Sequence, residues 1–338
     1  MPGCGKPGAT RIPDCRWFDE TTPMDAVILG RIGYDLYSEE PHVPLPRVRR
    51  FSRYLGGSSA NMAVGLARLG ARTGIISCLG TDSLSEFLLD FLNREKVDTA
   101  HVQTRPGYLP SLCLTEVSPP DRFPQVFYRH EAVDTLLAVR AEDLDYIASA
   151  RMFITNGTSL CASPSRESTY RALERARASG CRVVLDVDYR AMSWPSAEDA
   201  GLAVRLALPF VDVLIGNEPE LMLVAGASDL DGATAKLRST GLSILVSKLG
   251  ERGTRVWTGE GSVFLPPYRV EVCTTIGAGD GFASGFLYAL LQGFSMEECL
   301  QYGNAAAAIV VSRLSCSEAM PTLAEVRELI DTQSRTQQ

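Results

Sequence analysis

Histidine is scarce in this chain. His42, His101 and His130 are the only three in 338 residues, and their spacing fits no zinc site. The nine cysteines form no C-x-x-C pair. Several, such as Cys78 in TGIISCLG and Cys113 in SLCLTEV, sit in apolar runs, so buried reduced thiols are expected rather than a disulfide framework. No apolar run reaches the ~18–20 residues that a membrane span needs. The first 23 residues, rich in Pro, Gly and polar side chains, have no apolar h-region and read as a flexible tail. A cytoplasmic protein is expected. Positive charge is not in excess: 33 Lys and Arg stand against 40 Asp and Glu, a net −7. That excludes a broad nucleic-acid face and leaves room for a local basic pocket. Two nucleotide fingerprints are also missing. There is no G-x-x-x-x-G-K-[ST] loop, and LGRIGYDL carries G-x-x-G, with Asp35 where a phosphate would need backbone N–H groups.

What is present is ordinary for a globular α/β protein, 45% hydrophobic and 22% charged. Ala26 to Leu29 read as a buried strand with Gly30 and Gly33 in the turn after it. SANMAVGLARLG reads as an amphipathic helix closed by Gly70, and DSLSEFLLDFLNREKV as another, with Phe87, Leu88, Phe91 and Leu92 at helical spacing. Strand then alternates with helix through RMFITNG, RESTYRALERARASG, RVVLDVD, VDVLIGN, TAKLRSTG and LSILVSKLG. The fold class this implies is α/β, a doubly wound, mainly parallel sheet with helices on both faces. Two Pro-interrupted, partly β-like stretches break the rhythm, and they predict a small β lid from about residues 37–56 and 108–131. The main domain is expected over 24–330, with a frayed polar tail at 331–338.

Two glycine-rich stretches precede helices. In TTIGAGDG, Gly277, Ala278 and Gly279 let a ligand approach the backbone, and the helix behind them offers unpaired N–H groups to an anion. Asp280 has two readings there: an N-cap, which is a common use of aspartate, or a general base beside an anion hole. In YLGGSSAN, Gly56 and Gly57 again give close approach, and Asn61 can hydrogen-bond a hydroxyl. GNEPEL offers Asn217 and Glu220 to a hydrated Mg²⁺. SKLGERG offers Lys248, Gly250 and Gly253 in a turn after a strand.

With these residues in this order, the chain resembles the ribokinase-like (PfkB) sugar kinases over roughly Asp25 to Leu329. The resemblance is carried by GGSSANMA, TIGAGDGFASGF, GNEPE and KLGERG. It implies an ATP- and Mg²⁺-dependent transfer to a primary hydroxyl. By position it makes Asp280 the base and Gly277, Ala278 and Gly279 the anion hole. Asp35, Gly56, Gly57 and Asn61 become substrate contacts, and Asn217 and Glu220 organise Mg²⁺ and phosphates. Ser247, Lys248, Gly250 and Gly253 line the ATP site, with Asn304 and Ala308 near the adenine. The family's lid often mediates dimers, so a homodimer through the lid is a further expectation. One departure stands out: Thr274 occupies a position where many members carry an aspartate that helps hold a monovalent cation, which leaves potassium dependence open.

Two stretches bear on the substrate. QVFYRHEAVD puts Tyr128 and Arg129 on the lid, and LDVDYRAMSW puts Asp186, Asp188, Arg190 and Trp194 after a central strand, where α/β folds bind ligands. Arginines aimed into a pocket suit a carboxylate. The alternative is that Arg129 and Arg190 form structural ion pairs with Asp134 or Asp188. GRIGYDLY, GTSLCASPSRE, DVDYRAMSW and VSRLSCSEAMP resemble the subgroup of 5-dehydro-2-deoxygluconokinases of myo-inositol breakdown. A 2-dehydro-3-deoxygluconate kinase is the neighbouring alternative. A sugar-acid-binding regulator without catalysis is the alternative of a different class.

Overall fold

The computed structural model describes residues 24–119 and 122–336; the expected N-terminal tail lies outside them. The first half of the chain runs β1 (Met24–Leu29), β2 (Gly33–Ser38), β3 (Phe51–Gly56), α1 (Ser58–Arg68), β4 (Thr73–Leu79), α2 (Ser83–Arg94), β5 (Val102–Thr104), β6 (Ser111–Thr115), β7 (Gln125–Tyr128), α3 (Ala141–Ala148), β8 (Ala150–Asn156) and α4 (Ser165–Ala178). The second half runs β9 (Arg182–Asp186), α5 (Ala197–Ala207), β10 (Val213–Asn217), α6 (Glu218–Ala225), α7 (Leu230–Arg238), β11 (Ile244–Lys248), β12 (Thr254–Thr258), β13 (Gly261–Leu265), α8 (Ala278–Leu291), α9 (Met296–Val311) and α10 (Leu323–Thr336).

Nine strands form one sheet in the order β13-β12-β11-β10-β9-β8-β1-β4-β5. From β11 to β5 every pairing is parallel, and β12 and β13 close the edge as an antiparallel hairpin. The sequence of β1 explains why both faces are covered. Ala26 and Ile28 enter one core with residues of α1, α2, α8 and α9, while Val27 and Leu29 enter the other with residues of α3 to α7. A strand buried on both sides reads as a continuous apolar run, as AVIL does. Strand order reverses between β1 and β8, which makes the carboxyl ends of these strands the place for a ligand.

A second sheet, β3-β2-β6-β7, stands over those carboxyl ends. Its central strand β2 starts at Gly33, where a turn was expected from the glycines. The inward rows are set by register: Asp35 lies opposite Cys113, which lies opposite Phe127, and Tyr37 lies opposite Thr115, which lies opposite Gln125. The outward row joins Tyr34, Leu112 and Tyr128. Helices α3 and α5 and the β12–β13 hairpin are additions to the elements read from periodicity. At the C-terminus α10 runs to Thr336, so most of the stretch expected to fray from Asp331 is helical. Among the described residues no helix is long and apolar enough to cross a membrane.

Helix α8 carries Asp280 in its first turn, and α9 fixes its position. The two helices approach so closely at Gly285 that a Cβ there would stand 2.3 Å from the Tyr302 carbonyl oxygen. Substituting Gly285→Ala must therefore push α8 off α9, at a cost of about 1–3 kcal/mol. A lowered midpoint in denaturant unfolding is expected, and an unchanged midpoint would show that the helices have slack.

Candidate active site

One polar cleft of about 480 Å³ lies between the two sheets. Its walls come from the carboxyl ends of the main sheet and from the inward rows of the small one. Asp280 lies at its floor. The N-cap of α8 is Gly277, at φ +83° in the left-handed region, and no side chain caps the helix. A Cβ on Gly277 would also meet the Cys316 sulfur at 2.9 Å, so this turn needs glycine on both counts. Asp280 is the third residue of the helix and is not its cap. Its carboxylate reaches across to α1 instead: Ser58 Oγ donates to Oδ1 at 2.8 Å and Asn61 Nδ2 donates to Oδ2 at 2.7 Å. Burial raises the Asp280 pKa above the usual carboxylate range, the neighbouring Asp188 adds to this, and the two hydrogen bonds and Arg190 work against it.

Around this floor the cleft gathers Asp35, Gly57, Asn61, Asp188, Arg190, Asn217, Glu220, Lys248, Gly250, Gly277 and Gly279 from the residues singled out in the sequence. Asp35 is buried with Oδ1 unpartnered, and Asn61 likewise keeps an unpartnered Oδ1. Burial pushes Asp35 up to about 6, opposed by Arg31 and reinforced by Asp280. Gly56 lies behind Asp35, where a Cβ would be 2.2 Å from the carboxylate. Lys248 Nζ donates to both oxygens of Asp186 at 3.1 Å. Burial works against the lysine's charge, but Asp186, Glu220 and Asp280 outweigh it and hold its pKa up. The ammonium stands 3.3 Å from where a Gly279 Cβ would be, directly beside the glycine turn that opens α8.

Several expected residues sit elsewhere. Tyr128 points outward, 63% exposed, because it occupies the outward row of β7. Gln125 and Phe127, one position out of phase with it, face the cleft. Arg129 does not line the cleft either. Its guanidinium donates to Asp134 Oδ2 at 2.6 Å, the Thr158 carbonyl at 2.9 Å and Ser193 Oγ at 3.0 Å, which makes it a structural ion pair. Arg190 pairs with Asp188 at 3.0 Å, but both remain in the cleft wall. Asp188 itself has φ +36°, unusual for a non-glycine residue. Trp194 packs with the apolar side chains of the α3–α7 core.

Asn217 and Glu220 prove to be a capping box at the start of α6. Asn217 Oδ1 accepts from the Glu220 N–H at 2.9 Å, and Glu220 Oε2 accepts from the Asn217 N–H at 2.7 Å. Glu220 Oε1 accepts from the Tyr189 N–H at 3.0 Å, which ties α6 to the loop that carries Asp188. With both glutamate oxygens engaged, and no cluster of three or more His, Cys, Asp or Glu suited to a metal among the described residues, the set does not fit a directly ligated Mg²⁺. Asn304 and Ala308 lie on α9 and do not line the cleft. The Asn304 amide accepts from Thr254 Oγ1 at 2.9 Å and donates to the Pro266 carbonyl at 3.0 Å, and so ties α9 to the hairpin. Ala278, Ser247 and Gly253 also lie outside the lining: Ala278 opens α8, Ser247 is fully buried in β11, and Gly253 ends the turn after it. Thr274 is buried, and its Oγ1 accepts from the Ile276 N–H at 3.1 Å.

The cleft also holds residues that sequence reasoning passed over: Arg31, Ser58, Phe123, Phe127 and Cys316. Strand parity would have exposed Phe127 once Tyr128 was tested against the alternation of QVFY. Arg31 is the one charged side chain in VILGRIGY, and it was lost inside a glycine pattern.

The Asp35 carboxylate has a consequence for stability. Its folded pKa of about 6 lies above the ordinary aspartate value of 3.8, so ionisation costs the folded state about 3 kcal/mol above pH 6. That cost fades as pH falls from about 6 towards 3.8. Asp35→Asn is expected to raise the melting temperature at pH 7.5, with a smaller gain at pH 5. Equal gains at both pH values would contradict the buried charge.

Comparison with known proteins gives the cleft its context. The model of the pfkB family carbohydrate kinases matches residues 24–323. A 5-dehydro-2-deoxygluconokinase of Geobacillus kaustophilus is 37% identical over 320 residues, which cover 93% of this chain and 96% of that one. One from Photobacterium profundum is 36% identical over 93% of this chain and 96% of its own length. Among solved structures, a fructokinase of Xylella fastidiosa with bound ATP superimposes with a TM-score of 0.80 and 27% identity, over 91% of this chain and 99% of that one. On the extent of these matches, the chain belongs to the pfkB family of carbohydrate kinases and is a phosphotransferase.

Proposed function

We propose that the protein transfers the γ-phosphoryl group of ATP to the terminal primary hydroxyl of 5-dehydro-2-deoxy-D-gluconate, a step of myo-inositol breakdown. The observation that carries this reading is the Asp280 carboxylate. It is clamped on both oxygens from α1, in the first turn of a helix whose N-terminus has no side-chain cap. Both features serve an in-line phosphoryl transfer. The clamp fixes the carboxylate where a hydroxyl can donate to it, and burial makes it a stronger base than an exposed aspartate. As the hydroxyl oxygen attacks the phosphorus, its proton passes to Asp280 and the bond to the ADP oxygen breaks. The amides of the Gly277–Gly279 turn face the charge that develops on the phosphoryl oxygens. Lys248 adds a fixed positive charge beside that turn, and Gly250 leaves room for the nucleotide over the carboxyl end of β11.

Mg²⁺, when bound with ATP, would offset phosphate charge as a hydrated ion held by the nucleotide. Glu220 acts on this site through the backbone of Tyr189 and Asn217. Asp35 and Asn61, each with an unpartnered oxygen, are the acceptors for hydroxyls of the sugar chain. The outer face of the lid, where Leu109, Val126 and Tyr128 are exposed, is the surface on which pairing of two copies through the lid would rest. Cytoplasmic placement belongs to the same reading.

The substrate assignment draws on the relatives named for this activity and on the mixed charge of the cleft, where Arg31, Arg190 and Lys248 line a cavity together with carboxylates. Purified protein with ATP, Mg²⁺ and 5-dehydro-2-deoxygluconate is expected to release ADP stoichiometrically with phosphorylation at the terminal hydroxyl. Binding of the acid without ADP release would support a regulator instead. Replacing Asp280→Asn is expected to lower kcat by about 10²–10⁴-fold while the melting temperature and ATP affinity persist. An unaltered kcat would remove Asp280 as the base.

A further inference from the structure

Arg31 follows β1 directly and turns into the cleft. It is 8% exposed. Its guanidinium offers five N–H donors, yet its one hydrogen bond among the described residues runs from Nη1 to Ser111 Oγ at 3.0 Å. It makes no ion pair within 4 Å among the described residues, in contrast to Arg129 on Asp134 and Arg190 on Asp188. Asp35 is near enough for the two charges to influence each other but does not bond it. A buried cation without an anion is costly. The other cations of the cleft, Arg190 and Lys248, already have carboxylate partners.

The surroundings of Arg31 narrow the missing anion. Gly33 lies under the guanidinium, where a Cβ would be 2.5 Å from Nη1. Phe127 faces it from the lid, with the guanidinium carbon 5.8 Å from the ring centroid. A planar carboxylate matches one guanidinium fork. The apolar ring beside the fork suits a methylene next to that carboxylate.

We propose that Arg31 is the specificity-determining residue of the acceptor site, binding the carboxylate of the sugar acid while Phe127 packs on the adjoining methylene. This rests on the sugar-acid reading above and deepens it. It places the acid end of the acceptor beneath the lid and its terminal hydroxyl at Asp280. Asp35 lines the same cleft as Arg31 and Asp280 and lies within electrostatic reach of both. The lid thus reads the acid end, and the main body performs the transfer.

The test is calorimetric binding of D-gluconate and of D-glucitol, which carries an alcohol in place of the carboxylate. The wild-type protein is expected to prefer the acid, and Arg31→Gln to lose that preference by about 10–100-fold, the range for a charged hydrogen-bonded pair. Arg31→Lys, which keeps the charge and loses the fork, should retain part of it. This second variant keeps the test decisive if the glutamine protein fails to fold. No preference in the wild type, or a preference that survives Arg31→Gln, overturns the assignment. Turnover is measured separately. Wild-type protein that discriminates gluconate from glucitol through Arg31, yet does not phosphorylate 5-dehydro-2-deoxygluconate, would refute the substrate and leave the carboxylate site standing.

Discussion

The starts of two helices meet at one carboxylate, and the geometry of the cleft depends on that meeting. Ser58 and Asn61 in the first turn of α1 hold both oxygens of Asp280 in the first turn of α8. α1 follows directly from lid strand β3, and α8 is locked against α9 where Gly285 admits the Tyr302 carbonyl. The clamp therefore joins the strand-to-helix turn beneath the lid to the helix pair that carries the Gly277–Gly279 turn. Without it, the carboxylate would be a lone buried charge beside Asp188. With it, the charge has fixed partners and a fixed direction.

The rest of the cleft follows from managing charge in a space of about 480 Å³. Five carboxylates, those of Asp35, Asp186, Asp188, Glu220 and Asp280, line it with three cations. Most are matched: Asp186 with Lys248, Asp188 with Arg190, and Glu220 with two backbone N–H groups. Among the described residues, the buried polar atoms of the cleft lining left without partners are Asp35 Oδ1 and Asn61 Oδ1, and the Arg31 guanidinium makes a single hydrogen bond. Stability alone would remove such atoms, so their persistence marks where a ligand completes the hydrogen bonding. That residue-level contrast separates structural arginines from recognition arginines better than position in the chain does.

The alternation of strand and helix was plain in the sequence because each central strand is a continuous apolar run and each covering helix keeps its period. The helix α5 was missed because LAVRLALPF leaves Leu202 and Leu206 on the exposed side, which blurs the apolar stripe. The glycine turn before α8 was legible because GAGDG places Gly277 where φ is positive and space is short. Its helix-cap alternative fell only when the partners of Asp280 were seen on α1, a contact 219 and 222 residues away in the chain. Two points stayed open in the sequence. The side of the lid on which Tyr128 lies was open because strand parity cannot be fixed without knowing which face the partner strands present. The two readings of Arg129 are separated only by its contacts, in which Asp134 is joined by Thr158 and Ser193 from distant loops. Asn217 and Glu220 match both a phosphate-site motif and a capping box, and spacing alone cannot separate the two.

The central claim is that this cleft phosphorylates a keto-deoxy sugar acid whose acid end and terminal hydroxyl are fixed at opposite ends of the site. The direct measurement is kcat/KM for 5-dehydro-2-deoxygluconate beside that for 2-dehydro-3-deoxygluconate, at one ATP and Mg²⁺ concentration. These acids differ in whether a methylene or a carbonyl adjoins the carboxylate. The account predicts a higher kcat/KM for the 5-dehydro-2-deoxy acid. Equal values, or a preference for the 2-dehydro-3-deoxy acid, would contradict it.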